Sequence, residues 1–192
     1  MTWFSFLREN AAFLLAGFLF AFTSSYGQTY FISLFASEIK GDFGLSDGQW
    51  GGIYTIGTTV SAIAMVWAGA LTDRFRARSL AVWVMIGLAL ACLAMAVVPN
   101  AVVLIGVIFA LRVFGQGMMS QLSAVSMARW FEATRGRALS IASMGFSVAQ
   151  AILPVIFVAL LAVVTWRSLW VLAAVLVVLT IPLQLRLLRL ER

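Results

Sequence analysis

Long runs of apolar residues, separated by short polar stretches, make up nearly the whole of this chain of 192 residues. Hydrophobic residues account for 63% of the sequence and charged residues for 10%, whereas a soluble domain has about 45–50% and about 25%. No soluble core could hide that much apolar surface from water, so we expect the chain to fold in lipid. A helix that crosses a bilayer needs about 20 apolar residues, and the sequence predicts six such spans, at approximately 11–37, 49–70, 80–98, 101–128, 138–164 and 168–189.

The connections between the predicted spans are short, which makes neighbouring helices pack antiparallel. The sequence therefore predicts an all-α membrane protein, in which residues 1–192 form a single domain of six transmembrane helices. The first apolar run is too long for a signal peptide, and no charge precedes Arg8. We interpret this run as the first retained span.

Basic residues cluster on one side of this arrangement. Ten of the 13 lysines and arginines fall near the N-terminus, in the second and fourth connections, or near the C-terminus. Only Lys40 and Arg167 fall on the opposite side, and Arg112 lies inside a span. Because cytoplasmic loops carry the excess of Lys and Arg, we expect both termini in the cytoplasm. Basic residues in short clusters between spans do not predict a nucleic-acid partner.

Histidine is absent from the sequence, and Cys92 is its only cysteine. These two facts exclude His-based catalysis, His-ligated metal sites and an internal disulfide. An intramembrane serine protease, for example, would need a histidine beside its serine. We therefore expect neither an enzyme nor a metal or cofactor site.

Arg112 lies near the middle of the fourth predicted span. An arginine at that depth costs at least about 2.5–3.5 kcal/mol on the insertion scale, so it must face other helices or water. One interpretation is structural, with the guanidinium bonded to carbonyls or hydroxyls of neighbouring helices. The other is functional, with Arg112 lining a pathway and contacting an anionic solute.

Polar residues recur at helical spacing in four of the spans, and those of the fourth span share a face with Arg112. Taken singly, such residues in a membrane helix are often only packing residues, but four stripes around one arginine predict a shared cavity for a small solute. No acidic residue lies at mid-bilayer depth, so the sequence assigns no proton coupling. The predicted pathway residues are Arg112, Gln116, Ser120, Ser123, Gln28, Tyr30, Tyr54, Thr58, Ser143, Ser147 and Gln150.

The stretch "GALTDRFRARSL", residues 69–80, lies between the second and third spans and resembles the loop signature of the major facilitator superfamily, G-x-L-x-D-R/K-x-G-R/K-R/K. "LRVFGQG" resembles the fourth-helix motif of the same family, and "RGRALSIASMGFSVAQAILP" the start of its fifth helix. "SSYGQTYFISLF" and "GLSDGQWGGIYTIGT" are similar to helices one and two of bacterial members. The loop matches at Gly69, Leu71, Asp73, Arg74 and Arg78, and departs at Arg76, where the pattern has glycine, and at Ala77, where it has a basic residue.

This resemblance implies a secondary transporter of a bacterial cytoplasmic membrane, working by alternating access around a cavity between two six-helix halves. The loop residues Gly69, Asp73, Arg74 and Arg78 would form its gate, with Asp73 bonding to a helix end in the other half. Spans one to three and four to six would form two three-helix repeats. The loops "DRFRARSL" and "FEATRGRAL" are weakly similar, but the positive-inside rule alone would also produce that similarity.

Members of this family have two halves of six helices each, and this sequence predicts one half. Transport would then need a second six-helix half or a second copy of the chain. The alternative is a truncated or orphan half without autonomous transport, acting as a membrane assembly partner.

Overall fold

The structure is a computed structural model that describes residues 3–190, and this part of the chain contains helices and turns but no strand. Six of its helical segments are long and apolar enough to cross a membrane. The predicted all-α fold with six spans is thereby confirmed, with span boundaries that differ from the predicted ones by a few residues. Spans 1 to 6 are Ser5–Ser33, Asp47–Arg74, Ala77–Ala96, Ala101–Trp130, Glu132–Leu161 and Trp166–Leu187.

Several spans are built from more than one helix. Span 1 combines α1 (Trp3–Thr23), a 3₁₀ turn (Ser24–Gly27) and α2 (Thr29–Ser33), and the short α3 (Ala36–Phe43) follows it. Span 4 contains a π-helical segment that joins α7 to α8. The remaining helices are α4 (Asp47–Ala68), α5 (Leu71–Arg74), α6 (Ala77–Ala96), α7 (Ala101–Leu111), the π-helix (Arg112–Met119), α8 (Ser120–Trp130), α9 (Arg135–Leu161) and α10 (Trp166–Leu187), with 3₁₀ turns at Glu132–Thr134 and Leu188–Leu190.

Side-chain caps begin three helices at the same end of the bundle. Ser46 and Gln49 form a capping box at the start of α4. The Asn100 side chain accepts hydrogen bonds from the first backbone N–H groups of α7, and Thr165 accepts one at the start of α10. These caps satisfy N–H groups that a helix leaves without internal partners, and they fix where spans 2, 4 and 6 begin.

The helix contacts are symmetric between the two halves of the chain: spans 1, 2 and 3 correspond to spans 4, 5 and 6, and each of the contacts below has a counterpart when the two sets are exchanged. Span 1 packs against span 5, as span 4 packs against span 2. Span 3 packs against span 6, and spans 1 and 4 cross each other. This symmetry is the packing expected of two three-helix repeats.

An aromatic cluster holds spans 1, 5 and 6 together. Phe31 packs edge-on against Phe157 and Trp170, with ring centroids 4.9 and 5.4 Å apart, and Phe35 lies 5.2 Å from Trp170. All four side chains are buried. Edge-to-face aromatic pairs contribute about 0.5–1.5 kcal/mol beyond area burial, so this cluster stabilises the end of the bundle that α3 covers.

Arg167 and Trp166 join the three connections at that same end. The Trp166 indole donates to Asp42 at 2.9 Å, and Arg167 donates to the carbonyls of Ala96 and Val98 at 3.1 and 3.0 Å. The Arg167 guanidinium also lies 4.4 Å from the Trp166 ring centroid. These contacts hold the starts and ends of the helices together at this end of the bundle.

Candidate functional site

Arg112 is the first residue of the π-helical segment in the middle of span 4. Its Nη1 donates a hydrogen bond to Oγ1 of Thr29 in span 1 at 2.9 Å. Its guanidinium carbon lies 6.0 Å from the ring centroid of Tyr54 in span 2. The structure therefore places this arginine at the meeting point of spans 1, 2 and 4. Thr29 was not among the predicted residues, although it directly follows Gln28, which was.

A glycine contact between spans 1 and 4 makes this meeting point possible. A Cβ atom on Gly27 would lie 2.1 Å from the Leu111 carbonyl oxygen and 2.7 Å from the Gly115 Cα atom. Neither distance is tolerable for a real side chain, so the two backbones touch here because the residue is glycine. The close approach brings Thr29, two residues later, to Arg112.

Several polar atoms of spans 2 and 4 are buried without a hydrogen-bond partner among the described residues. They are Nε of Arg112, Oε1 of Gln116, the Tyr54 hydroxyl and Oγ1 of Thr58. A buried polar group left unpaired costs about 1–3 kcal/mol, and an uncompensated group is a reason to look for a function. Four such groups on spans 2 and 4 form a set of donors and acceptors that a solute could satisfy.

A second group of predicted residues lines a cavity of about 320 Å³ between spans 1, 4 and 5. Gln28, Ser120, Ser123 and Ser143 all contribute to its wall. Tyr30 lies near these spans, with its ring edge-on to Phe146 at 6.0 Å. The other residues that line the cavity are Ala21, Ser24, Ala124, Leu139, Ala142 and Phe146.

The serine hydroxyls of this cavity are largely occupied by the backbone. Ser123 is buried and donates to the Gly17 carbonyl of span 1 at 2.8 Å, which fastens span 4 to span 1. Ser24 donates to Ala21, and Ser143 donates to Ser140, each within its own span. Gln28 and Ser120 are the remaining predicted polar side chains on the cavity wall.

Ser147 and Gln150 lie on α9 but not on the cavity wall, and both are exposed. The opposite face of α9, which includes Ala142, Gly145 and Ala149, is buried and packs against α1. The polar stripe of span 5 thus turns away from span 1 as it continues past Ser143. The predicted residues thus fall into two places: Arg112 lies beside Tyr54 of span 2, whereas Gln28, Ser120, Ser123 and, of the three residues predicted in span 5, only Ser143 line the cavity.

The predicted gating loop lies at the far end of spans 2 and 4. Asp73 accepts a hydrogen bond from Nη2 of Arg129 at 2.9 Å, and both side chains are substantially exposed. Arg74 ends α5, Arg78 lies in the first turn of α6, and both are exposed. A Cβ atom on Gly69 would lie 3.0 Å from the Met65 carbonyl and 3.3 Å from the Gln121 side chain. Arg129, which was predicted only to help set the topology, is the partner of Asp73.

Six membrane-length helices with buried polar atoms of Arg112, Gln116, Tyr54 and Thr58 between them define a polytopic membrane protein. The family model described as the Major Facilitator Superfamily matches residues 14–192. The chain belongs to this family of secondary transporters, whose members are transporters rather than enzymes. No curated protein gives a significant match to the chain.

Proposed function

We propose that this domain binds a small organic anion at Arg112 and carries it across the membrane by alternating access. The observation that carries the proposal is the pairing of Arg112. Its hydrogen bond goes to the neutral hydroxyl of Thr29, while its Nε is buried and unpaired among the described residues. A guanidinium is always charged and presents a planar fork of donors that fits a carboxylate or a phosphate.

Energetics favour an anionic ligand over a purely structural arginine. Holding a charged arginine inside the membrane costs about 2.5–3.5 kcal/mol or more, and a hydroxyl partner offsets only part of that cost. A carboxylate on the solute would supply the missing countercharge. The unpaired Gln116, Tyr54 and Thr58 groups supply further donors and acceptors that could orient the rest of the solute.

The second part of the proposal is that a second six-helix body completes the pathway. Spans 2 and 5 are the least buried spans of the bundle. Ser147 and Gln150 of span 5 face outward, and polar side chains are costly against hydrocarbon. A facing body would cover these residues, and it would be either a second six-helix half or a second copy of this chain. Alternating access requires two such bodies that rock around the site.

The third part concerns orientation and gating. We place both termini in the cytoplasm of a bacterial cell, because ten of the 13 basic residues lie at that end. The loop of Gly69, Asp73, Arg74 and Arg78 would then lie at the cytoplasmic mouth and control its opening. The bond between Asp73 and Arg129 holds this mouth together within the six-helix domain.

Ligand-dependent stability of the purified protein tests the anion site. Acetate, succinate, citrate and glucose serve as probes, because any ligand that binds the folded protein raises its stability, whether or not it is the transported solute. We expect at least one carboxylate to raise the melting temperature and glucose not to do so. Arg112→Ala should abolish that rise and Arg112→Lys should weaken it, whereas Arg135→Ala, an exposed arginine outside the site, should preserve it. An equal rise in the Arg112→Ala protein would remove Arg112 from the site.

The oligomeric mass in detergent tests the second body and separates transport from the alternative. A dimer, or a stable complex with a separate six-helix partner, supports the two-body transporter. A strict monomer without ligand-dependent stabilisation would favour the alternative, in which this domain is a membrane assembly partner without transport of its own.

A further inference from the structure

The cavity between spans 1, 4 and 5 lies next to the hydrogen-bond partner of Arg112. Gln28, on the cavity wall, directly precedes Thr29, whose hydroxyl accepts the hydrogen bond from Arg112 at 2.9 Å. Consecutive Cα atoms are about 3.8 Å apart, so the cavity wall and the partner of Arg112 are neighbours along span 1. A solute held by a carboxylate at Arg112 can therefore extend the rest of its structure into the cavity.

Apolar side chains supply much of the cavity wall. They are Ala21 of span 1, Ala124 of span 4, and Leu139, Ala142 and Phe146 of span 5. The cavity has a volume of about 320 Å³, whereas one water molecule accounts for about 30 Å³ of liquid volume. It therefore has room for a solute body of several carbon atoms. Polar groups buried against such side chains without a hydrogen bond are costly, so this part of the wall favours hydrocarbon.

The serine hydroxyls on the wall are poor partners for a second anionic group. Ser24, Ser123 and Ser143 each donate their proton to a backbone carbonyl, at 2.7, 2.8 and 2.9 Å. A hydroxyl whose proton is engaged offers only lone pairs to a ligand, and an ionised carboxylate also offers only lone pairs. A second carboxylate in the cavity would therefore face acceptors, and it would carry its charge inside the membrane. These hydroxyls thus select against dicarboxylates.

We propose that the solute is a monocarboxylate with an apolar body, which binds with its carboxylate at Arg112 and its body in the cavity. This inference rests on the proposed function, because it requires that Arg112 binds the anion. It goes further by naming the class of anion. One guanidinium pairs with one carboxylate, and the cavity beside it accepts hydrocarbon, so aliphatic and aromatic monocarboxylates fit the site better than dicarboxylates and tricarboxylates do.

Matched carboxylates test the inference on the purified protein, with apparent dissociation constants taken from the rise of the melting temperature with ligand concentration. Acetate lacks the apolar body, hexanoate has it, and adipate has the chain length of hexanoate with a second carboxylate in place of the methyl group. Because each buried CH₂ group strengthens binding, we expect hexanoate to bind at least about tenfold more tightly than acetate and adipate. Hexanamide, which lacks the charge, controls for partition of the chain into detergent and should show no saturable stabilisation.

Two alanine positions on α8 provide a cavity variant and its matched control. Ala124 and Ala128 lie one helical turn apart and both are exposed, but Ala124 lines the cavity and Ala128 does not. Leucine is a good helix former, so both variants should fold. Ala124→Leu fills part of the cavity and should reduce the preference for hexanoate over acetate to about threefold or less. Ala128→Leu should keep the preference of the unmodified protein.

The possible failures separate this inference from the proposed function. Equal affinities for acetate and hexanoate in the unmodified protein, or tighter binding of adipate than of hexanoate, would overturn the inference and leave the anion site at Arg112 in place. Equal loss of the preference in both leucine variants, or no loss in either, would overturn it by removing the cavity from the site. Carboxylate binding that is absent, or that persists unchanged in Arg112→Ala, would refute the proposed function and this inference with it.

Discussion

Arg129 donates from Nη2 to Oδ1 of Asp73 across 2.9 Å, which joins the last turn of span 4 to the end of span 2. The two spans belong to different three-helix repeats, so this bond crosses the repeat boundary at one end of the bundle. Both partners are exposed, at 44% and 75% of their side-chain surface. An exposed ion pair contributes about 0–1 kcal/mol to stability, which suits the proposed gating role, in which this contact opens and closes.

Asp73→Asn should therefore change transport much more than stability. Loss of an exposed pair should lower the melting temperature by less than about 4 °C in a chain of this size. If the loop gates the pathway, uptake of a stabilising carboxylate into liposomes should fall sharply in the assembled transporter. Glu132→Gln, which removes an exposed acid at the start of span 5 at the same end of the bundle, is the matched control and should keep both properties. Equal, small changes in both variants would contradict the gating role of Asp73.

Gly27→Ala should separate spans 1 and 4. The new methyl group would lie 2.1 Å from the Leu111 carbonyl oxygen, and overpacking of this kind typically costs about 1–3 kcal/mol. Because the contact also positions Thr29, the ligand-dependent stabilisation described above should be lost together with stability. The measurement is the melting temperature with and without the stabilising carboxylate.

Gly106→Ala is the control for the glycine substitution. Gly106 lies in α7 of the same span, and nothing lies within 4 Å of the position that its Cβ would take. Alanine in an open helical position should be neutral or should stabilise the helix by about 0.5–1 kcal/mol. If both alanine variants behave alike, the close approach at Gly27 has no energetic importance.

The sequence predicted the spans well because lipid imposes a simple rule: about 20 apolar residues must form a helix. It also predicted that Arg112 would face other helices or water, because a charged side chain is costly in hydrocarbon. Thr29 and Arg129 were not predicted as partners. Their contacts depend on the crossing of spans 1 and 4 and of spans 2 and 4, and helical periodicity within one span carries no information about such crossings.

The π-helix at Arg112–Met119 and the orientation of span 5 were not predicted from the sequence either. A wider helical turn shifts the side chains that follow it, so spacings of three and four residues no longer place them on one face. In α9, Ser143, Ser147 and Gln150 follow regular spacing, yet only Ser143 lines the cavity. The burial of Ala142, Gly145 and Ala149 against α1 decides which way that helix faces, and small residues in an apolar run do not reveal their partner.

Arg167→Ala should destabilise the end of the bundle opposite to the gating loop. The substitution removes hydrogen bonds to the carbonyls of Ala96 and Val98 and the contact with the Trp166 ring. Hydrogen bonds from charged groups contribute about 1.5–3 kcal/mol each, so the melting temperature should fall measurably. Arg167→Ala also removes the ion pair of Arg167 with Asp42, and Lys40→Ala removes the ion pair with Asp47 at the same end, whose acid is more exposed than Asp42. Lys40→Ala should have little effect. Similar losses in the two variants would show that the carbonyl bonds of Arg167 add little.

Two single-cysteine variants test the proposed orientation in the membrane. Ala133→Cys lies in the 3₁₀ turn Glu132–Thr134 at the start of span 5, and Ala162→Cys lies just after span 5 at the other end of the bundle, with both positions exposed. The native Cys92 is fully buried, so background labelling should be low. With the termini in the cytoplasm, a membrane-impermeant maleimide should label Ala162→Cys in intact cells, and Ala133→Cys only after lysis. The reverse pattern would invert the orientation and move the loop of Asp73 to the outer face, where it could not act at a cytoplasmic mouth.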